Sequence, residues 1–185
     1  MIMRYGKGLI GTASMAAILF SSSSMAVAGP FMSEKWAQAV CEKWNETDEL
    51  VTGLVGDKWS ANTSDKGYKV IQMYRDECGF ESRVELNVAE QDGKAVCTYG
   101  GAAKTSDLDE KSDYLMYATD EHWKCMGEGR FGCGAMGSMM SGKLNFTGPK
   151  REAANVIEPF NAFLKLTGKV SGDDQCPSSA VASGS

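Results

Sequence analysis

The chain has a single histidine, His122, and no Gly-x-Ser-x-Gly segment of the kind that carries a hydrolase nucleophile. One imidazole is too few for a histidine-rich metal site. None of the six cysteines forms a Cys-x-x-Cys pair, which a dithiol redox enzyme, a zinc site or a haem attachment site would need. No group of residues therefore specifies a reaction, and we expect a noncatalytic protein that needs no metal or cofactor.

Positive charge is also scarce, with 19 lysines and arginines against 24 aspartates and glutamates. A net charge of −5 disfavours nucleic acid as a partner. It also disfavours constitutive docking on anionic lipid, so any membrane contact should be transient. The glycine pairs at 127/129 and 132/134 do not predict nucleotide binding, because no Gly-Lys-Ser/Thr follows at the required spacing.

Long apolar runs are confined to the amino terminus. Residues 1–28 combine Arg4 and Lys7, an interrupted apolar run and the segment Ala26-Val27-Ala28. This arrangement is typical of a cleaved secretory signal peptide, and its apolar run is shorter than the roughly 20 residues that span a bilayer. We therefore expect an exported, periplasmic or secreted chain that begins at Gly29. Loss of the two positive charges would change its formal charge from −5 to −7.

All six cysteines lie beyond residue 28, and an exported chain meets oxidising conditions in which disulfides persist. The sequence does not fix their pairing. Cys125 with Cys133 is the best single candidate, because these two flank the glycine-rich turn 127–132, and closing so short a loop should contribute about 2 to 3 kcal/mol. The alternative is that some cysteines are buried free thiols.

Apolar residues recur at helical spacing near both ends of the mature chain. Ser33 can cap the first helix, and Thr119 can cap a short helix in the middle of the chain. Pro159 should break or kink the last helical stretch. The predicted helices cover about residues 33–44, 47–56, 119–127, 149–158 and 160–168.

Branched and aromatic residues that alternate with polar ones predict strands at about 68–74, 84–88, 95–99, 114–118 and 144–147. The pair Asp92-Gly93 between the second and third strands predicts a tight hairpin. These elements predict an α+β fold in which an antiparallel sheet is covered by helices. Residues 29–170 should form one domain, and the small polar tail 171–185 should be disordered except where Cys176 tethers it.

Residues 138–148 resemble a family signature. Their sequence, Ser-Met-Met-Ser-Gly-Lys-Leu-Asn-Phe-Thr-Gly, is similar to the Ser-Gly-Lys-Leu-x-hydrophobic-x-Gly motif of sterol-carrier-type lipid-binding domains. Residues 113–127 resemble the strand, polar turn and glycine-ended helix of the same family, and the resemblance covers about residues 84–170. The chain departs from the family in the glycine-rich insertion 130–137, in Pro149, and in an end that lacks a peroxisomal signal.

The resemblance implies a hydrophobic tunnel between the sheet and the helices, with the carboxyl-terminal helix near its mouth. The large apolar residues of the carboxyl-terminal half are then candidates to line a ligand cavity, although any one of them could equally be ordinary core. These candidate ligand-binding residues are Trp123, Met126, Phe131, Met136, Met139, Met140, Leu144, Phe146, Phe160, Phe163 and Leu164.

We therefore expect an exported, monomeric binding or transfer protein for a hydrophobic small molecule such as a sterol, hopanoid or fatty-acyl lipid. Two alternatives stay open. Met136, Met139 and Met140, with Cys133, are soft ligands that suit Cu(I), although methionine also suits an adaptable apolar surface. The second alternative is an accessory interaction module of an envelope complex.

Overall fold

The computed structural model describes residues 29–177. The predicted signal peptide and residues 178–185 lie outside the described residues. Five strands form one sheet in the order β3-β2-β1-β4-β5. The strands are β1 (Lys69–Arg75), β2 (Val84–Gln91), β3 (Lys94–Ala102), β4 (Tyr114–Ala118) and β5 (Asn145–Thr147).

The hairpin between β2 and β3 is the one predicted from Asp92-Gly93. Both turn residues have positive φ, 50° and 70°, as a two-residue type I′ turn requires. The prediction of a wholly antiparallel sheet is wrong at one place, because β1 and β4 pair in parallel. The chain passes through the whole hairpin and a long loop between these two strands, and a crossover of that length permits parallel pairing.

Six α-helices accompany the sheet among the described residues. Ser33 and Thr119 cap α1 and α3 as predicted, by accepting hydrogen bonds from the backbone N–H groups of Trp36 and His122. The helix α2 is shorter than predicted, because the glycines at 53 and 56 disfavour helical backbone. The helices are α1 (Glu34–Asn45), α2 (Asp48–Val51), α3 (Asp120–Gly127), α4 (Ala135–Met140), α5 (Lys150–Asn155) and α6 (Ile157–Thr167).

The break between α5 and α6 falls at Val156, where φ and ψ are −118° and 39°, and not at Pro159. Pro159 instead lies in the first turn of α6, where a backbone N–H has no partner within the helix and its loss costs little. α4 was not predicted, because its segment of small residues and methionines has no clear apolar spacing.

Three disulfides connect all six cysteines, so the free-thiol alternative is wrong. The predicted pair, Cys125 with Cys133, is confirmed. Cys41–Cys97 joins α1 to β3, and Cys78–Cys176 joins the turn after β1 to the tail.

The described part of the tail, residues 171–177, contacts the domain around the predicted tether at Cys176. The backbone of Asp173 exchanges hydrogen bonds with Phe31 and Gly29, at 2.9 and 3.1 Å. The buried guanidinium of Arg75 donates to the carbonyl oxygens of Asp174 and Gln175, each at 2.7 Å. These bonds and the Cys78–Cys176 disulfide fix the segment.

The helices pack on one face of the sheet and form a single core with it. Ile71, Met73 and Leu86 project from this face into the same apolar cluster as Trp36 of α1 and Leu164 of α6. On the opposite face the sheet residues Gln72 and Glu85 bond to the backbone of the loop 103–113. Within residues 29–177, no helix is both long and apolar enough to cross a membrane.

Candidate functional site

Six aromatic side chains form a closed circuit between the sheet and the helices. Each ring has a neighbour on both sides, and successive ring centroids are 5.4 to 6.4 Å apart, the range in which aromatic rings attract one another. We call this circuit the aromatic collar. Its members are Trp44 of α1, Trp59 of the loop after α2, Tyr114 of β4, Phe146 of β5, and Phe160 and Phe163 of α6.

The collar surrounds an apolar cavity of about 30 Å³. Leu54, Ile71, Met116, Ala153 and Val156 complete its lining. The cavity lies between the sheet and the helices, where the resemblance placed a tunnel. Its volume is close to that of one water molecule in the liquid, whereas pockets for small ligands measure roughly 300 to 1,000 Å³. The described residues therefore form a small apolar cavity that is too narrow for a lipid as it stands.

A second, larger depression lies on the surface beside the cavity. It has a volume of about 400 Å³ and is bordered by α4, β5 and α5. We call it the methionine groove, and its lining residues are Met136, Met139, Met140, Gly142, Leu144, Asn145, Phe146, Lys150 and Ala154. Phe146 lines both the groove and the cavity, so its half-buried ring is the wall that the two spaces share.

The signature residues build this wall. Gly142 turns the chain back after α4 with a φ of 73°, and the Leu144 N–H then donates to the carbonyl oxygen of Ser138 at 3.0 Å. At Gly148 a Cβ atom would lie 2.3 Å from the carbonyl oxygen of Asp113, so only glycine lets β5 lie this close to β4. The hydroxyl of Ser138 is buried and has no hydrogen-bond partner within residues 29–177.

A buried polar network adjoins one side of the collar. The ammonium of Lys69 contacts the carboxylate of Glu152 at 2.6 Å and donates to the carbonyl oxygens of Asn62 and Ser112 at 2.8 and 2.9 Å. It also lies 5.0 Å from the ring centroid of Trp59 and 5.2 Å from that of Tyr114. The Tyr114 hydroxyl donates to the same carboxylate.

Burial controls the ionisation of this network. Desolvation lowers the pKa of Lys69, although the hydrogen bond to Glu152 partly offsets it. Desolvation and the neighbouring Glu152 carboxylate raise the pKa of Tyr114, because both disfavour the phenolate. The three N–H groups of the Lys69 ammonium already have three oxygen partners. The network is therefore internally satisfied and leaves the cavity wall apolar.

The predicted ligand-binding residues fall into four groups. Phe160 and Phe163 line the cavity with Phe146, and the three methionines line the groove with Leu144 and Phe146. Trp123, Met126 and Leu164 are instead buried in the core, where the Trp123 indole donates to the Tyr74 carbonyl oxygen at 3.1 Å. Phe131 lines neither space and is fully exposed.

Sequence reasoning missed half of the collar, namely Trp44, Trp59 and Tyr114. Trp44 and Tyr114 lie on elements that read as ordinary core, and nothing local indicates that they meet. Trp59 could have been found, because it is the sole large apolar residue in the otherwise polar stretch 56–67.

The soft-metal alternative loses the cysteine thiolate that would bind the metal beside the methionines. Cys133 is bonded to Cys125 and offers no thiolate. In the part of the chain that the structure describes, no three His, Cys, Asp or Glu side chains are grouped to hold a metal ion.

Comparisons with known proteins give structural neighbours alone. No protein-family model and no curated protein matches the chain. Among solved structures, a crystal structure of sterol carrier protein 2 is similar to it at 22% identity and a TM-score of 0.49, over 76% of this chain and 98% of the other. A protein from Thermus thermophilus, described as possibly a sterol carrier protein, is similar at 22% identity and a TM-score of 0.47, over 78% and 92%.

Sterol carrier protein 2 from Yarrowia lipolytica, in its apo form, is similar at 16% identity and a TM-score of 0.38, over 75% of this chain and 93% of the other. The predicted resemblance to sterol carrier proteins thus has its counterpart in these structures, and the predicted α+β class is confirmed by the sheet and helices themselves. These identities and TM-scores carry no argument about function. We therefore derive the function below from the side chains of this chain.

Proposed function

We propose that this protein is a noncatalytic binding or transfer protein for a hydrophobic small molecule of the sterol, hopanoid or fatty-acyl lipid class. The observation that carries the proposal is the position of Phe146. Its ring closes the aromatic collar on one side and lines the methionine groove on the other. Movement of this one ring would join an apolar interior cavity to an apolar surface groove.

The volumes agree with such a movement. The groove alone, at about 400 Å³, falls in the size range of small-ligand pockets, and the cavity alone, at about 30 Å³, does not. A hydrocarbon chain or ring system would lie in the groove and extend past Phe146 into the collar. Each methylene removed from water would contribute up to about 0.8 kcal/mol, so affinity should increase with ligand size until the enlarged site is full.

Phe146 lies on β5, a short strand at the edge of the sheet. β5 is a three-residue edge strand that pairs with β4 alone, and Phe146 is its central residue. Short edge elements with few ladder hydrogen bonds open at low cost. The methionines on the other side of the groove have flexible, polarizable side chains that adapt to ligands of different shape.

We place the protein in the periplasm or outside the cell. The proposal is supported by the signal-peptide pattern of residues 1–28 and by three disulfides, which persist in oxidising compartments.

Tryptophan emission tests the proposal directly, because Trp44 and Trp59 line the cavity while Trp36 and Trp123 do not. Titration with sterols, hopanoids and fatty acids of increasing length should give a saturable change in emission. Trp59→Phe should reduce that change, whereas the matched variant Trp36→Phe should preserve it. If no member of the panel binds saturably to protein shown to be folded by circular dichroism, the carrier proposal fails and an interaction module is the better account.

A further inference from the structure

Exposed apolar side chains are concentrated on one short segment. Of the four large hydrophobic residues that are exposed within residues 29–177, three lie between positions 131 and 140. Phe131 is 105% exposed, Met140 81% and Met136 43%. The fourth, Phe80, lies elsewhere, with the Arg83 guanidinium 3.9 Å from its ring centroid. Clustered exposure of this kind marks an interaction surface.

Phe131 lies in a loop that a disulfide closes. The Cys125–Cys133 disulfide bridges the base of this loop. Inside it, the Arg130 N–H donates to the carbonyl oxygen of Cys125, and the Cys133 N–H donates to that of Arg130, both at 3.1 Å. Phe131 and Met136 lie in the glycine-rich insertion 130–137, in which the sequence departs from the sterol-carrier pattern.

Basic residues outnumber acidic ones in the part of the chain that carries these apolar residues. The stretch 129–151 contains Arg130, Lys143, Lys150 and Arg151 and no aspartate or glutamate, in a chain that has 24 acidic residues. Lys150 borders the methionine groove, and the Lys143 ammonium reaches the carbonyl oxygen of Gly132 in the loop at 3.3 Å. Arg130 is paired with Glu128, so Lys143, Lys150 and Arg151 supply the free positive charge in this part of the chain.

We propose that Phe131, Met136 and Met140 dock the protein on a lipid bilayer that contains anionic headgroups. Aromatic and methionine side chains would enter the interfacial region, while the basic side chains would remain among the phosphates. Each basic side chain near an anionic surface should raise partition about fivefold. The acidic remainder of the protein opposes stronger attachment, which makes the contact reversible.

Docking in this orientation places the methionine groove against the lipid, because Met136 and Met140 belong both to the docking surface and to the groove. A lipid could then enter the groove without crossing water. The docking itself does not depend on a bound cargo, so it can be tested separately from the proposed function.

Vesicle flotation tests the proposal on the whole protein. It should float with vesicles of phosphatidylcholine and phosphatidylglycerol, less with pure phosphatidylcholine, and less again at high salt. Phe131→Ser should lower partition about tenfold or more. The matched change Phe80→Ser, at the exposed phenylalanine outside this surface, should have little effect.

A Phe131→Trp reporter identifies what covers the surface. The four native tryptophans are at most 4% exposed, so a new emission shift would come from position 131. The emission should shift to the blue on adding anionic vesicles, and a Phe80→Trp control should not. Absence of flotation would overturn the proposal. A concentration-dependent blue shift without vesicles, together with dimers in sedimentation, would also overturn it and assign the surface to a second copy of the chain.

Discussion

The Lys69 ammonium and the Tyr114 hydroxyl share one acceptor, the carboxylate of Glu152, in an otherwise apolar interior. Removing one member of such a network leaves the others buried without a partner, which costs more than the bond itself contributes. The network holds the loop that carries Asn62 against β1 and α5, since the Asn62 amide also donates to Glu152 at 2.6 Å. It therefore helps to position Trp59, three residues away, in the collar.

Tyr114→Phe should change stability in a pH-dependent way. Its raised pKa means that the folded protein keeps the phenol neutral at a pH where the unfolded chain ionises. This contribution is fully present below the ordinary tyrosine pKa of 10.0 and is lost as pH rises above it. At pH 7 the substitution should cost about 1 to 3 kcal/mol, because Glu152 loses a donor. Above pH 10 the variant should lose stability less steeply than the wild type.

Denaturant unfolding between pH 7 and 11 measures both effects. Tyr68→Phe, outside this network, is the matched variant and should retain the wild-type alkaline loss. Equal alkaline slopes for the wild type and Tyr114→Phe would contradict the prediction. Lys69 contributes to stability in the opposite direction. Burying its charged ammonium costs stability at low pH, and because its pKa is lowered this cost disappears as pH rises toward 10.5.

The residue pairings that could be predicted are those whose two members are near each other in the sequence. Cys125 and Cys133 are eight positions apart and flank a glycine-rich turn, so their pairing was predictable. Cys41–Cys97 and Cys78–Cys176 span 56 and 98 positions, and only the folded sheet brings these partners together. Members of the aromatic collar are also far apart in sequence. Trp44 of α1 contacts Phe163 of α6.

The position of α1 on the sheet depends on a glycine in β3. At Gly100 a Cβ atom would lie 2.2 Å from the carbonyl oxygen of Ala37 and 2.8 Å from the Cβ of Cys41. The helix cannot readily move away, because Cys41 is bonded to Cys97 of the same strand. Trp44, on the same helix, depends on this close packing for its place in the collar.

We therefore expect Gly100→Ala to destabilise the protein by about 1 to 3 kcal/mol through overpacking. The exposed Lys94 of the same strand provides a control, since Lys94→Ala should change stability by no more than about 0.5 kcal/mol. Urea unfolding with the disulfides intact measures the difference. Equal midpoints for Gly100→Ala and the wild type would show that α1 does not lie in contact with this position.

Elements with a strong local signal were predicted closely. β4 has the bounds 114–118 that its alternation predicted, and Asp92-Gly93 forms the hairpin turn. The parallel pairing of β1 with β4 has no local signal, because it is decided by the path of the chain between them. The break at Val156 likewise depends on how α5 and α6 pack, although Pro159 correctly indicated that two helices share this stretch.

For the whole molecule, the resemblance implied a hydrophobic tunnel between the sheet and the helices, and the described residues enclose a small apolar cavity there. The size of such a space depends on the packing of side chains that are far apart in sequence, and here six rings line it. The Phe146 ring lies between this cavity and the methionine groove. Phe146 would then control the rate of entry more than the final affinity.

Phe146→Ala should therefore accelerate ligand uptake. Loss of the ring would join the cavity to the methionine groove, at a cost in stability of about 1 to 3 kcal/mol for a half-buried phenylalanine. Stopped-flow tryptophan emission after mixing with a fatty acid below its micelle concentration measures the uptake rate. Phe31→Ala is the matched control, because Phe31 is also half-buried but packs on Trp36, away from the groove. It should lower stability without changing uptake. Equal uptake rates for Phe146→Ala and Phe31→Ala would mean that the ligand enters elsewhere, and the role of Phe146 as a gate would be wrong.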